Sequence, residues 1–204
     1  MNSGQGKNNG KPRLVLASAS PRRRELLAGL NLPFLVHPSR AEEAAVALPE
    51  DPQDRVRYLA LCKAREVANI YPDHVVLGVD TVVALDGRIL EKPADSEEAV
   101  RMLQALSGKW HQVYSGLALV HRSTGQERQG VVQTAVHFLP LGEEEIRAYV
   151  ATGEPMDKAG AYGIQGRAAV FIDEIRGCYF NVVGLPLAAL AQLLREFGME
   201  ILKE

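Results

Sequence analysis

Cysteine is scarce in this chain. Cys62 and Cys178 are the only two in 204 residues, far apart and without CxxC spacing. That excludes a disulfide framework and a cysteine-based zinc site, and it points to a reducing compartment, the cytoplasm. The five histidines show no HxxxH or HxH spacing, so none is assigned to a metal. No apolar run approaches the ~18 residues that a membrane helix needs. The opening Met1–Lys7 is polar and lacks an apolar core, so no secretory leader is expected. No GxxxxGK[ST] pattern occurs, which excludes a P-loop, and there are no internal repeats. An excess of either charge is also missing. Lys and Arg number 23 against 25 Asp and Glu, a net charge of −2, which argues against coating nucleic acid or membrane through bulk charge.

What is present is ordinary for a folded protein: 47% apolar and 24% charged residues, enough for a sizeable core in one large domain or one domain with two lobes. The balanced charge hides a segregation. Residues 1–30 carry six basic side chains and one acid, so the rest of the chain holds a surplus of seven acids. Three of the six bases form one run, Arg22-Arg23-Arg24.

Residues 1–12 are Gly, Asn, Lys and Gln without apolar periodicity and read as a flexible polar tail. Leu14–Ala17 is a short apolar strand. Ser20-Pro21 then gives two helix-start signals, an N-cap and a proline at the first helical position. Phe34–Val36 is a second strand, and residues 54–70 form a long helix by the spacing of Val56, Leu59, Ala60, Lys63, Val67 and Ile70. Val75–Val79 reads as a buried strand running into Asp80-Thr81, with Val82–Leu85 following and a turn at Asp86-Gly87. Ser96 caps a helix to Leu106. Residues 113–120 and 130–139 make a hairpin, and 142–149 and 185–197 are helices, with a last strand at 199–202. Strands alternate with helices, so the class is α/β with a mixed sheet.

Chemistry concentrates in a few places. Ser18-Ala19-Ser20-Pro21-Arg22-Arg23-Arg24 joins a strand to a helix N-terminus through small hydroxyl residues, which makes an anion site of exposed N–H groups, hydroxyls and guanidiniums. Three arginines there oppose the helix dipole, so an anion is expected to compensate them. A solvated basic turn is the plainer reading. Asp80 is placed at the carboxyl end of its strand, where α/β sheets build their sites. A carboxylate between two apolar runs is costly unless it serves as a base or Mg²⁺ ligand, although a turn aspartate also fits. Lys63, Lys92 and the acidic pair Glu42-Glu43 taken singly fit surface positions. The glycine-framed Gly160–Gly166 holds one amide, Gln165. Its donor and acceptor match the N3–H and O4 edge of uracil or thymine, while structural turns use glycines too.

Together these segments resemble the Maf family. The blocks are Ser18–Arg23, Lys63-Ala64, Gly78–Val82, Lys92-Pro93, Ser107–Lys109 with His111, Pro155–Gly166 and Asn181–Pro186, in order from about Leu14 to Phe197. The resemblance implies a nucleoside triphosphate pyrophosphatase acting through a divalent cation (Mg²⁺, or Mn²⁺ or Co²⁺). It implies a catalytic domain over residues 13–204, with two lobes around a deep cleft similar to the inosine triphosphate pyrophosphatases. Arg22, Thr81 and Gln165 agree with the branch that acts on dTTP and UTP. Asp80 is carried over as catalytic base and, with Glu43, as metal ligand. Ser18, Arg22, Arg23, Lys63, Thr81, Lys92 and Gln165 are carried over as substrate ligands. A homodimer and a link to arrest of cell division are further implications. Val79 stands where alanine is usual, and Glu91 where glycine is usual. The other readings are a pyrophosphatase of the same family acting on 7-methyl-GTP, and a non-catalytic division regulator binding through the basic segment from Lys7 to Arg24.

Overall fold

A computed structural model of the protein describes residues 13–41 and 48–202. The tail expected over residues 1–12 and the acidic pair Glu42-Glu43 lie outside the described residues. Leu14–Leu16 forms β1, Pro21–Ala28 α1, Phe34–Val36 β2 and Pro52–Ala68 α2. Val75–Leu85 is β3, Arg88–Leu90 β4 and Ser96–Leu106 α3. Trp110–His121 and Gln126–Phe138 are the hairpin strands β5 and β6, and Glu143–Val150 is α4. Several 3₁₀ turns then lead to β7 (Ile172–Arg176), α5 (Tyr179–Val183) and α6 (Leu187–Glu196).

The seven strands make one mixed sheet in the order β2-β1-β3-β5-β6-β7, with β4 also on β3. β1 runs parallel to β2 and β3, and the pairings of β3 with β4 and β5, β5 with β6, and β6 with β7 are antiparallel. The long strand β3 carries the architecture. One of its edges pairs with β5 from Val76 to Ala84. The other pairs with β1 only as far as Leu77 and with β4 only from Val83. Between them, residues 78–82 have no strand partner on that side among the described residues.

The apolar packing follows the same division. On one face, Leu14, Leu16, Leu77 and Val79 pack with Leu27 of α1 and with Leu190 and Leu194 of α6. Further along that face, Val83, Leu85 and Val113 pack with α3, α4 and the segment holding Ala161 and Tyr162. Thr81 and Ser115 lie between the two clusters, a polar seam that separates two lobes. α2 covers the opposite face through Ala60, Ala64, Val67 and Ala68. It lies very close at Gly78, where a Cβ would come 2.0 Å from the Ala60 carbonyl oxygen. Only glycine lets the helix backbone settle there.

Three expectations change. Asp80 does not end a strand: it lies inside the unbroken eleven-residue β3, because Val82–Ala84 continues pairing with β5. The N-cap of α3 is Asp95, whose carboxylate accepts the Glu98 N–H at 2.8 Å, and Ser96 is already helical. Residues 199–202 form no strand, and Met199 instead packs under α6. Strand β7 and the short helix α5 lie in the stretch from 159 to 184, whose recurring glycines leave no clear period in the sequence.

Candidate active site

The break in the β3 edge opens into a cleft of about 850 Å³, within the usual range for small-molecule sites. Ser18, Arg22, Arg23, Lys63, Asp80, Thr81, Lys92 and Gln165 all line it. Every site residue expected from the sequence, Glu43 apart, therefore reaches one cavity. Glu43 lies outside the described residues.

Asp80 and Lys63 form its buried charged pair. Lys63 Nζ donates to Asp80 Oδ1 at 2.7 Å, with side-chain exposures of 10% and 8%. The pairing follows from the close seat of α2 at Gly78, two residues before Asp80. Lys63 shares a face of α2 with Leu59 and Arg55 at four-residue spacing, and all three line the cleft. Arg55 was missed in the sequence, though that spacing marks it. It pairs with Glu91, so the acid that replaces the usual glycine is neutralised where it stands.

The basic run divides by function once it is helical, because successive residues point about 100° apart. Arg24 is exposed and does not line the cleft. The sequence pointed all three arginines at one anion, and helix geometry removes Arg24 from that set. Arg23 turns inward. Its guanidinium donates to the carbonyls of Gly184 and Val79 at 3.0 Å, to Ser18 Oγ at 3.2 Å and to Thr81 Oγ1 at 3.1 Å. Val79 is one of the β3 residues without a strand partner on the open edge, so the guanidinium supplies the hydrogen bond that a strand would have given. Its donation to Gly184 ties α1 to the end of α5. Arg22 remains at the cleft wall, 3.8 Å from the Asp157 carboxylate.

Ser18 accepts from the Ser20 N–H and from Arg23, both at 3.2 Å, and its own proton has no acceptor among the described residues. Ser20 caps α1 by accepting the Arg23 N–H at 3.4 Å. Lys92 is exposed and makes no ion pair among the described residues. Thr81 Oγ1 lies 2.8 Å from Ser115 Oγ, inside the polar seam.

At the far end, Gln165 is exposed and lines the cleft on the Gly160–Gly166 loop. The loop is held from behind. Tyr162 Oη lies 2.7 Å from Nε2 of the buried His111, and Ala161 is buried in a left-handed conformation with φ 59°. Such strain in a non-glycine residue persists only where its surroundings enforce it. Burial pushes the His111 imidazole down to about 4, with the nearby His137 adding to the shift. Burial also raises the Tyr162 hydroxyl. The pair is therefore neutral at physiological pH. Glu154, Asp157 and Lys158 line this end too. Glu154 carried no signal in the sequence, and Asp157 and Lys158 had only their place inside the Pro155–Gly166 block, with nothing to separate site from scaffold.

Among the described residues, no group of three or more His, Cys, Asp and Glu side chains could hold a metal by protein ligands alone. No helix there is long and apolar enough to cross a membrane.

Fold and cavity define a mixed α/β protein with a ligand cleft at the break in its central sheet. The same architecture occurs in a HAM1 protein from Coxiella burnetii, with a TM-score of 0.50, 18% identity, and coverage of 90% of this chain and 98% of that one. That likeness is one of fold. The family model for Maf-like proteins matches residues 13–197, and the chain belongs to that family. It is 55% identical over 190 residues to the dTTP/UTP pyrophosphatase of Moorella thermoacetica, covering 93% of this chain and 97% of the relative. Against the dTTP/UTP pyrophosphatase of Symbiobacterium thermophilum identity is 53%, covering 92% and 95%. Against that of Thermococcus gammatolerans it is 51%, covering 93% and 98%.

Proposed function

We propose that this protein hydrolyses dTTP and UTP to the nucleoside monophosphate and pyrophosphate. The observation that carries the reading is one cleft with a buried carboxylate, Asp80, among cationic side chains and a neutral amide, Gln165, at its other end. A triphosphate brings about four negative charges, which arginine and lysine groups can stabilise as charge moves to the leaving group. Arg22 and Lys92 take the outer phosphates, and Ser18 donates its hydroxyl proton. Arg23, with its guanidinium engaged by four protein acceptors, holds the wall in place and orients Ser18 and Thr81.

Lys63 fixes Oδ1 of Asp80, which leaves Oδ2 to accept a proton from the attacking water. The water oxygen bonds to the α-phosphorus, the bond from it to the bridging oxygen breaks, and the electron pair leaves with pyrophosphate. Lys63 and Lys92 are placed to meet that charge. The donor set fits a hard divalent cation that enters with the triphosphate. Asp80 offers carboxylate oxygen, and such ions use one or two carboxylates together with substrate phosphates and water. Asp80, joined by Glu43 from outside the described residues, would hold it; Mg²⁺ is the expected ion, with Mn²⁺ or Co²⁺ as substitutes. The cation supplies further charge neutralisation on the phosphate oxygens.

Gln165 reads the pyrimidine edge, since a base with the wrong donor pattern leaves a polar group unpaired. A single catalytic domain over residues 13–204, a homodimer and a cytoplasmic location belong to the same proposal on the strength of the family.

The test is Asp80→Asn with a panel of dTTP, UTP, CTP, dATP and 7-methyl-GTP, followed by pyrophosphate release. The variant is expected to remain folded, with some loss of stability because the buried pair with Lys63 loses its carboxylate charge, and to lose about 10²–10⁴-fold in kcat, the span of general base catalysis. Turnover at the parent rate removes Asp80 from its role. A preference for 7-methyl-GTP overturns the substrate assignment.

A further inference from the structure

Gln165 makes no side-chain hydrogen bond to the described residues, so its place in the cleft is set by its neighbours. The turn that displays it is closed by the Gly166 N–H donating to the Gly163 carbonyl at 3.0 Å. Beneath that turn lies Glu154. Its Oε2 accepts the Arg167 N–H and its Oε1 the Tyr149 hydroxyl, both at 3.1 Å. Gly166 rests directly on this carboxylate: a Cβ there would lie 2.0 Å from Oε1. Lys158 secures the Glu154 backbone, with Nζ donating to its carbonyl at 2.6 Å. Tyr149 is buried, and burial together with the Glu154 charge raises its hydroxyl, which keeps it a donor.

We propose that Glu154 is a positioning residue for base recognition: its carboxylate fixes the Gly163–Gly166 turn and thereby the orientation of the Gln165 amide. Both carboxylate oxygens already accept protein donors, so Glu154 acts through the turn. The inference rests on the reading of Gln165 as the residue that meets the base. Charge-assisted bonds to an N–H are short-range and directional, and a displacement of about 1 Å at a binding group is enough to cost up to about 100-fold in rate.

The experiment compares the parent protein with Glu154→Gln, Tyr149→Phe, Gln165→Ala and the double variant Glu154→Gln/Gln165→Ala. In Glu154→Gln the amide oxygen can keep the Arg167 N–H only by turning its NH₂ to Tyr149, whose hydroxyl must then accept instead of donate, and the charge that strengthens the bond to the turn is lost. For each protein, kcat and KM are measured on the five triphosphates, and the readout is the ratio of kcat/KM between the best and worst substrates. Glu154→Gln is expected to reduce that ratio about tenfold, mainly through KM of the best substrate. Tyr149→Phe, which keeps the carboxylate, should move it less and in the same direction. The double variant should match Gln165→Ala alone, because coupled groups are not additive. A lower melting temperature with an unchanged ratio overturns the proposal, as does a Glu154 effect that persists in full without Gln165. The parent's own best substrate tests the underlying reading separately. A purine at the top of the parent's ranking refutes the pyrimidine assignment, while the fate of the ratio still decides the role of Glu154.

Discussion

At the end of the cleft proposed for the phosphates the central polar groups, Lys63 and Asp80, are charged, buried and bonded directly to one another. At the end proposed for the base, the Gln165 amide is neutral, exposed and held through the backbone on either side of it. Lys63 and Asp80 are fixed by where α2 sits on the sheet, and Arg23 by the unpaired edge of β3. Gln165 depends instead on a turn whose supports, Glu154, Tyr162 and His111, lie behind it. The contrast matches two tasks. Charge moving between phosphates calls for dipoles and cations that do not reorganise. Telling one base from another calls for hydrogen-bonding groups that a wrong partner leaves unsatisfied.

The strongest way to break this comparison is at the phosphate end. Lys63→Met should destabilise the fold by about 3–5 kcal/mol, because removing one member of a buried pair strands the other charge. Denaturant melts of parent and variant measure it, and activity should fall with stability since Asp80 loses its orienting partner. A variant as stable as the parent would mean that the phosphate end is no more tightly bound into the core than the base end.

Much of this was legible in the sequence, for reasons that differ between the two ends. The Ser18–Arg24 segment announced a strand, a cap and a helix start, and each signal is local, so those elements stand where the sequence put them. Local signals cannot say which arginine turns inward. That depends on the open edge of β3, a consequence of β1 and β4 pairing with different lengths of one strand. The same long-range pairing explains Asp80: a carboxylate between two apolar runs reads as a strand end unless one knows that β5 pairs across both. At the base end the Pro155–Gly166 block was visible as a motif, and Gln165 as its one amide. Its glycines have no period, however, and the hydrogen bonds that Glu154 accepts, like the one between Tyr162 and His111, depend on long-range packing that the motif blocks do not reveal.

A second test sharpens the contrast through pH. His111 titrates near its ordinary value of 6.5 when unfolded and at about 4 when folded, because burial disfavours its charge. From pH 6.5 downward the unfolded chain takes up a proton that the folded one refuses, so stability falls with acid. The loss accumulates to about 3 kcal/mol by pH 4 and is absent above 6.5. Thermal melts of the parent and of His111→Gln over this window should show the variant losing correspondingly less. Tyr162 and His137 face the ring, so the acid effect belongs to the base end. Equal slopes for the two proteins would show that acid acts elsewhere.

The smallest expected effect is the most selective. Gln165→Ala removes an exposed side chain with no hydrogen bond to the described residues, so its stability should stay within about 0.5 kcal/mol of the parent. Its kcat/KM for dTTP and UTP should nonetheless fall about tenfold, equivalent to one lost hydrogen bond of about 1.4 kcal/mol. Melting curves beside the five-substrate panel separate the two quantities. A variant that loses stability and keeps its selectivity would reverse the comparison, making the base end a structural element and leaving recognition of the base to groups on the phosphate side.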